Sequence, residues 1–239
     1  VEGMMAIGAV TAFIAGVELE NPWAALVVAM ISGAALASVH GFFTVALGAE
    51  QVVSGLSLTI LGVGLAAYLG KDYVGLPPGA KLEPVQWSGL SDLPWVGPIF
   101  FSQAPLVYLA LVMGVAISLV LSNTRLGLAL RAAGESASST DSAGHSVLGL
   151  RLSAVAAGGA LAGASGAYLT LSLTPQWAEG LTGGRGWIAV ALVIFGAWRP
   201  GRVAWGALLF GGTLALKTRL QTFGVDFSPI ILSMLPYLL

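Results

Sequence analysis

Charge is scarce in this chain, so the few places where it occurs carry information. Glu2 and Glu179 each precede a glycine and a short apolar run, and Glu179 opens the stretch EGLTGGRGW, in which four glycines between Gly180 and Gly186 surround Arg185. Such a stretch should interrupt a helix. Irregular backbone at membrane depth is tolerated only where it is buried in protein or faces a water-filled cavity. Glu179 and Arg185 are therefore candidates for a cavity wall or a buried ion pair, and the plainer alternative is that both cap a helix at a membrane surface.

The second concentration of polar groups is the island Ser122 to Arg151, which holds three arginines and two acids between two strongly apolar stretches. Between spans buried in lipid, an island this long is where a chain can touch a soluble partner. Catalytic chemistry finds little to work with, and no catalytic residue is assigned. There is no GxxxxGK[ST] loop to cradle ATP phosphates. GASGA, Gly163 to Ala167, lacks the last glycine of a serine elbow and reads as helix packing, as does the spacing of Gly159, Gly163 and Gly166. Asp72, Glu83 and Asp92 show no paired catalytic spacing. His40 and His145 have no ligand-spaced companions, so no metal site is expected, and without cysteine thiol catalysis is excluded.

The elements that must position these groups are set by composition. Apolar residues make up 56% of the chain, charged residues 9%, and the mean hydropathy is +0.89, whereas soluble domains carry about a quarter charged residues. From Val1 to Gly70 there is no Lys or Arg, and the acids are Glu2, Glu18, Glu20 and Glu50. The 33 glycines suit helices that approach closely in lipid. A net charge of −1 argues against a nucleic-acid partner. Spans are expected near Met4 to Val17, Trp23 to Leu47, Val53 to Leu69, Pro105 to Leu121, Leu152 to Leu173, Trp187 to Trp198, Val203 to Leu216, and from Pro229 onward. The last runs 11 residues to the end, about 16 Å of helix and half a bilayer. With Val1 not an initiator methionine, truncation at both ends is expected.

Placing the island in the cytoplasm puts Arg125, Arg131, Arg151, Arg199 and Arg202 inside and leaves Lys71, Lys81, Lys217 and Arg219 outside, a vote of five to four. Residues 71–103 then form an extracytoplasmic loop with Trp87 and Trp95 in the aromatic belt, while Trp187 and Trp198 anchor one span. The chain also resembles itself: the segment from Val1 matches that from Ala178, and LGAEQVVSGLSL from Leu47 matches FGVDFSPIILSM from Phe223. Glu2 maps to Glu179 at an offset of 177 and Glu50 to Asp226 at 176. With the orientation above, the copies enter the membrane from opposite sides, an inverted-topology repeat of the kind found in transporters. The expected fold is all-α, a polytopic transmembrane helical bundle with interrupted helices.

RLGLALRAAGESASSTDSAGHSV, Arg125 to Val147, resembles the cytoplasmic coupling segment of ATP-binding-cassette (ABC) importer permeases of the branched-chain amino acid, ribose and nucleoside group. VEGMM, LGAEQVVSGL and EGLTGGRGWIAVALVIFGAWRPGR resemble the nucleoside or simple-sugar subset. The resemblance covers almost the whole chain, with Ser136 and Ala137 where the family usually has Asn-Pro and His145 where it often has Ile. It implies one permease domain over residues 1–239, with residues 122–151 as the cytoplasmic coupling loop, in a bacterial plasma membrane. It also implies a second homologous permease, an ABC ATPase subunit holding the ATP, and an extracytoplasmic solute-binding protein; this chain would bind no cofactor. Leu130, Arg131, Ala132, Gly134 and Glu135 match the coupling motif, with Asp141, Ala143 and Gly144 closing it. A short helix here would offer an apolar face around Leu126 and Leu130, with Arg131 and Glu135 as partner contacts or as a mutual pair. The translocation path would fall on Glu2, Gly3, Met4, Glu179, Gly180, Gly183, Arg185 and Trp187. A rival reading is an ion-coupled secondary transporter using Glu2, Glu50 or Glu179; a structural membrane subunit is a third.

Overall fold

The computed structural model describes residues 1–89, 91, 97 and 100–222, with side chains described up to residue 216. The expected span from Pro229, together with Asp226 and Trp95, lies outside the described residues. The regular elements described are all helical. Among the described residues, five helical runs are long and apolar enough to cross a membrane: Glu2–Leu19, Pro22–Ala46, Gln51–Tyr73, Pro105–Asn123 and Val147–Leu173. They match the first five expected spans to within a few residues at either end.

Helix α1 (Glu2–Leu19) is the centre of the first compact unit, Val1–Trp187, and two thirds of it is buried. It packs against α2 (Pro22–Gly41), α3 (Gln51–Gly70) and α7 (Val147–Tyr168). Its sequence permits this because it is built of small residues, with Ala9, Ala12 and Gly16 among its buried positions. The contacts are glycine to backbone. A Cβ on Gly8 would collide with Gly163 of α7, one on Gly33 with Gly159, and one on Gly62 of α3 with Gly3 of α1. In lipid no hydrophobic effect drives helices together, so close approach and dispersion must hold them. The packing role expected of Gly159, Gly163 and Gly166 is what the structure has.

Two π-helical turns extend the long helices: Phe42–Ala46 continues α2 and Leu169–Leu173 continues α7. In the second, the fully buried Thr170 hydroxyl donates to the Ala9 carbonyl of α1 at 3.0 Å. A wider turn often marks a position where a helix must re-aim a side chain. Beyond α3, a short 3₁₀ turn (Lys71–Tyr73) leads into a segment that folds over the ends of α1 and α7. There Gly79 lies against Gly16 and Val17, and the Leu82 N–H donates to the Leu171 carbonyl at 2.8 Å.

Helix α4 (Pro105–Asn123) leads into the polar island, which forms two short helices, α5 (Arg125–Glu135) and α6 (Ala137–Ser142), before α7. The second compact unit, Ile188–Leu239, contains most of α8 (Arg185–Phe195) and α9 (Pro200–Thr222). The helix expected to end at Leu216 continues through Lys217 and Arg219.

Candidate functional site

Hydroxyl caps divide the polar island. Thr124 accepts from the Gly127 N–H at 3.0 Å, Ser136 from Ser139 at 3.3 Å, and Ser146 from Gly149 at 3.2 Å, starting α5, α6 and α7 in turn. Each satisfies an amide that the first helical turn leaves unpaired. Ser136 is an N-cap, so serine there does what asparagine would do, and Ala137 occupies the first helical position that proline favours. Helix α5 folds back across the end of α4, which is possible because position 127 has no side chain: a Cβ there would strike the Val120 carbonyl.

The far end of α5 is tied down by Arg151 of α7. Its Nε and Nη2 both donate to the Ala133 carbonyl, at 3.1 and 2.7 Å. A cation near the C-terminus of α5 also meets the negative end of its dipole. Sequence reasoning counted Arg151 only as a charge, because nothing local marks a contact 18 residues away.

What α5 presents outward differs in part from expectation. Leu126 is exposed and Leu130 half-buried, while Arg131, Gly134, Glu135, Asp141, Ala143 and Gly144 are exposed and Ala132 is half-buried. Arg131 and Glu135 do not form the mutual pair that their spacing allows among the described residues. Leu128, 62% exposed, lies three and seven residues before them, and so shares their face of the helix. The sequence reading had missed it. Gly144, at φ +81°, ends α6 in the left-handed conformation that glycine adopts without strain.

The residues expected to line a path divide into those the fold brings together and those it leaves apart. Gly3 rests on Leu58, Thr59 and Gly62, the middle of the 20-residue α3. Glu2 is therefore level with the middle of a spanning helix, about 12 Å along it. Its side chain is 7% exposed. Glu2 Oε1 accepts from the Thr182 hydroxyl at 2.6 Å and the Gly184 N–H at 3.0 Å, and Oε2 accepts from the Gly186 N–H at 2.6 Å. The last two amides belong to the start of α8, where unpaired N–H groups and the helix dipole favour an acidic group. Gly186 must be glycine, because a Cβ would stand 2.6 Å from the Glu2 backbone. The interrupted stretch EGLTGGRGW thus wraps a carboxyl group from the other end of the chain.

Glu179 is exposed and accepts no hydrogen bond among the described residues. The ion pair considered for Glu179 and Arg185 is absent: Arg185 is exposed, and its Nη1 donates to the Leu181 and Thr182 carbonyls at 2.9 and 3.3 Å. These two bonds brace the turn. Gly180, Gly183 and Gly184 have φ of +69°, +54° and +81°, so here glycine provides the turn itself. Met4 is half-buried beside a small cleft, and Trp187 is 51% exposed. Glu50 is an exposed cap for α3; the N–H groups of Val53 and Val52 hold its carboxyl below the ordinary range.

Five apolar spans among the described residues, glycine-sealed helix contacts and a buried carboxyl that caps the start of α8 define a multi-pass membrane protein. The chain belongs to the branched-chain amino acid transport system / permease component family, which matches residues 1–239. It is 41% identical over 234 residues to a permease protein named for a glucose ABC transporter in Haloferax volcanii, covering 96% of this chain and 70% of that one. A guanosine ABC transporter permease protein of Bacillus subtilis is 30% identical over 254 residues, 100% of this chain and 79% of that one. A nucleoside ABC transporter permease protein of Lactococcus lactis is 31% identical over 224 residues, 88% and 69% respectively. No solved structure matches. The chain is thus an ABC-type permease subunit, a transport component of the plasma membrane.

Proposed function

We propose that this chain forms half of the membrane path of an ATP-driven importer for nucleosides and supplies no chemistry of its own. A second permease copy or homologue completes the path, ATPase subunits that hold the ATP dock on α5 and α6, and an extracytoplasmic binding protein delivers solute. The observation that carries this reading is the α5 surface, where Leu128, Arg131 and Glu135 face outward on a helix fixed to α7 through Arg151. A helix held at both ends transmits displacement, whereas a loose loop would absorb it. ATP binding would move the docked helix and bias a two-state equilibrium of the path, which is what alternating access requires. Residues 122–151 then lie in the cytoplasm and residues 71–103 outside.

Two relatives are named for nucleosides, and the Haloferax protein, more similar in sequence, is named for glucose. A simple sugar is therefore the second reading. Both solutes are neutral and rich in hydroxyls, so neither needs a full counter-charge along the path. The deciding experiment is uptake of labelled guanosine and of glucose by the reconstituted complex with ATP. Guanosine uptake that requires ATP supports the proposal, and glucose uptake alone selects the sugar. Transport that persists without ATP and collapses with the proton gradient selects the secondary transporter.

A further inference from the structure

At the N-terminus of α1 lies a small cleft lined by Val1, Met4, His40, Gly55, Leu58 and Thr59 among others, with a volume of about 40 Å³. It extends from mid-depth of α3, at Thr59, to the end of α2 at His40, next to the part of α7 near α5, since Gly41 lies against Leu152 and Val155. His40 Nδ1 is hydrogen-bonded to the Ser54 hydroxyl at 2.9 Å, so α3 fixes the orientation of the ring. The other ring nitrogen, Nε2, has no partner among the described residues. The Thr59 hydroxyl donates to the Gly55 carbonyl at 3.0 Å and keeps its oxygen as an acceptor. An imidazole in a spanning helix is costly unless it serves a packing or transport role. Packing uses Nδ1 and leaves Nε2 unexplained.

We propose that His40 Nε2 and Thr59 Oγ1 contact the hydroxyl edge of the transported solute in the half of the path nearer α5. Met4 supplies an adaptable apolar wall against the ring. The ligand chemistry is that of vicinal hydroxyls on a neutral sugar ring, whether ribose in a nucleoside or a free hexose. The cleft is small, so it takes the hydroxyl edge of such a ring. The remainder of the solute lies beyond its mouth. This inference rests on the reading of the chain as a permease for such solutes.

The test uses the complete complex with its ATPase and binding protein, fed guanosine or 2′,3′-dideoxyguanosine, and glucose or 2-deoxyglucose as the second pair. His40→Ala and Thr59→Val should each reduce uptake of the hydroxylated member about fivefold, the worth of one neutral hydrogen bond. Uptake of the deoxy analogue should remain unchanged, and His40→Gln should restore much of the loss. A parallel fall for both members would make His40 a mere helix fastener and overturn the proposal, as would no change in either. Thr59→Cys adds a readout independent of transport in a chain that has no cysteine. Saturating solute should slow its alkylation by a small maleimide, and unprotected labelling overturns the contact. If the wild-type complex imports neither guanosine nor glucose with ATP, the solute reading fails and this inference with it; wild-type uptake with unaltered discrimination defeats this inference alone.

Discussion

Glu2 and Thr182 stand 180 residues apart in sequence, yet their side chains meet at 2.6 Å in a buried hydrogen bond. The bond closes the first helix of the bundle onto the turn that precedes α8. Removing the carboxyl leaves a buried hydroxyl and two helix-start amides without acceptors, at about 1–3 kcal/mol for each. Glu2→Ala should lower thermal stability in detergent and abolish uptake. Glu2→Gln retains one acceptor oxygen and should fall between the two, and Thr182→Val should cost about 1–2 kcal/mol with reduced uptake. Wild-type melting and uptake in Glu2→Ala would show that this contact holds nothing.

Glycines of two kinds should separate in one experiment. Gly163→Leu places a side chain against the Ala29 carbonyl of α2, so the bundle cannot close and the protein should fail to accumulate. Gly183 has room around it, with the nearest atom to an added Cβ, Arg185 Nη1, at 3.8 Å. Its constraint is φ +54°, which costs an ordinary residue about 1–2 kcal/mol. Gly183→Leu should therefore accumulate in the membrane but lose uptake, whereas Gly183→Asn, able to adopt that backbone, should retain much of it. Membrane abundance measured beside uptake distinguishes the two.

Coupling should depend on the outward face of α5 and on its tether. The double substitution Arg131→Ala with Glu135→Ala, and separately Leu128→Asp, should leave insertion intact and uncouple ATP hydrolysis from uptake. Arg151→Ala removes both hydrogen bonds to the Ala133 carbonyl; because the side chain is exposed, the stability loss should be about 1 kcal/mol or less, with the main effect on coupling. Arg151→Lys cannot reproduce the two-pronged contact and should behave nearly as badly. The measurement is solute imported per ATP hydrolysed in proteoliposomes, and unchanged stoichiometry in Arg131→Ala/Glu135→Ala would remove the docking assignment.

Glu50 separates the ATP-driven reading from its ion-coupled rival. A depressed carboxyl pKa adds stability that is present above the ordinary value, about 4.3, and disappears as pH falls through the lowered one. Between about pH 5 and 8 this contribution is flat. Glu50→Gln keeps an acceptor for the Val53 N–H and should transport normally across that range. A loss of proton-dependent uptake in this variant would make Glu50 an ion carrier.

The first five spans were legible because hydropathy alone marks them, and the glycine contacts because spacing along one helix reports one face. Glu2 was legible as an unusual charge, but its partners were not: the donors to its oxygens are a threonine hydroxyl and two backbone amides. Backbone amides carry no sequence signature. Arg151 and Leu128 were passed over for a related reason, since the first acts on a carbonyl and the second gains meaning only once the buried side of α5 is known. His40 was dismissed for lack of ligand-spaced neighbours, a test suited to metals and blind to a single imidazole beside Thr59.

A charge vote of five to four places the polar island inside, and labelling of single cysteines tests that placement. The absence of cysteine makes this clean. Ser88 is exposed in the segment between α3 and α4, and Ser138 is exposed on α6. In intact cells, Ser88→Cys should react with a membrane-impermeant maleimide, while Ser138→Cys should react only after the membrane is opened. Among the described residues α4 is the one candidate span between the two positions, which places them on opposite sides. Both cysteines labelling from the same side would therefore contradict α4 as a span, and the reversed pattern would place α5 outside, where no ATPase could reach it.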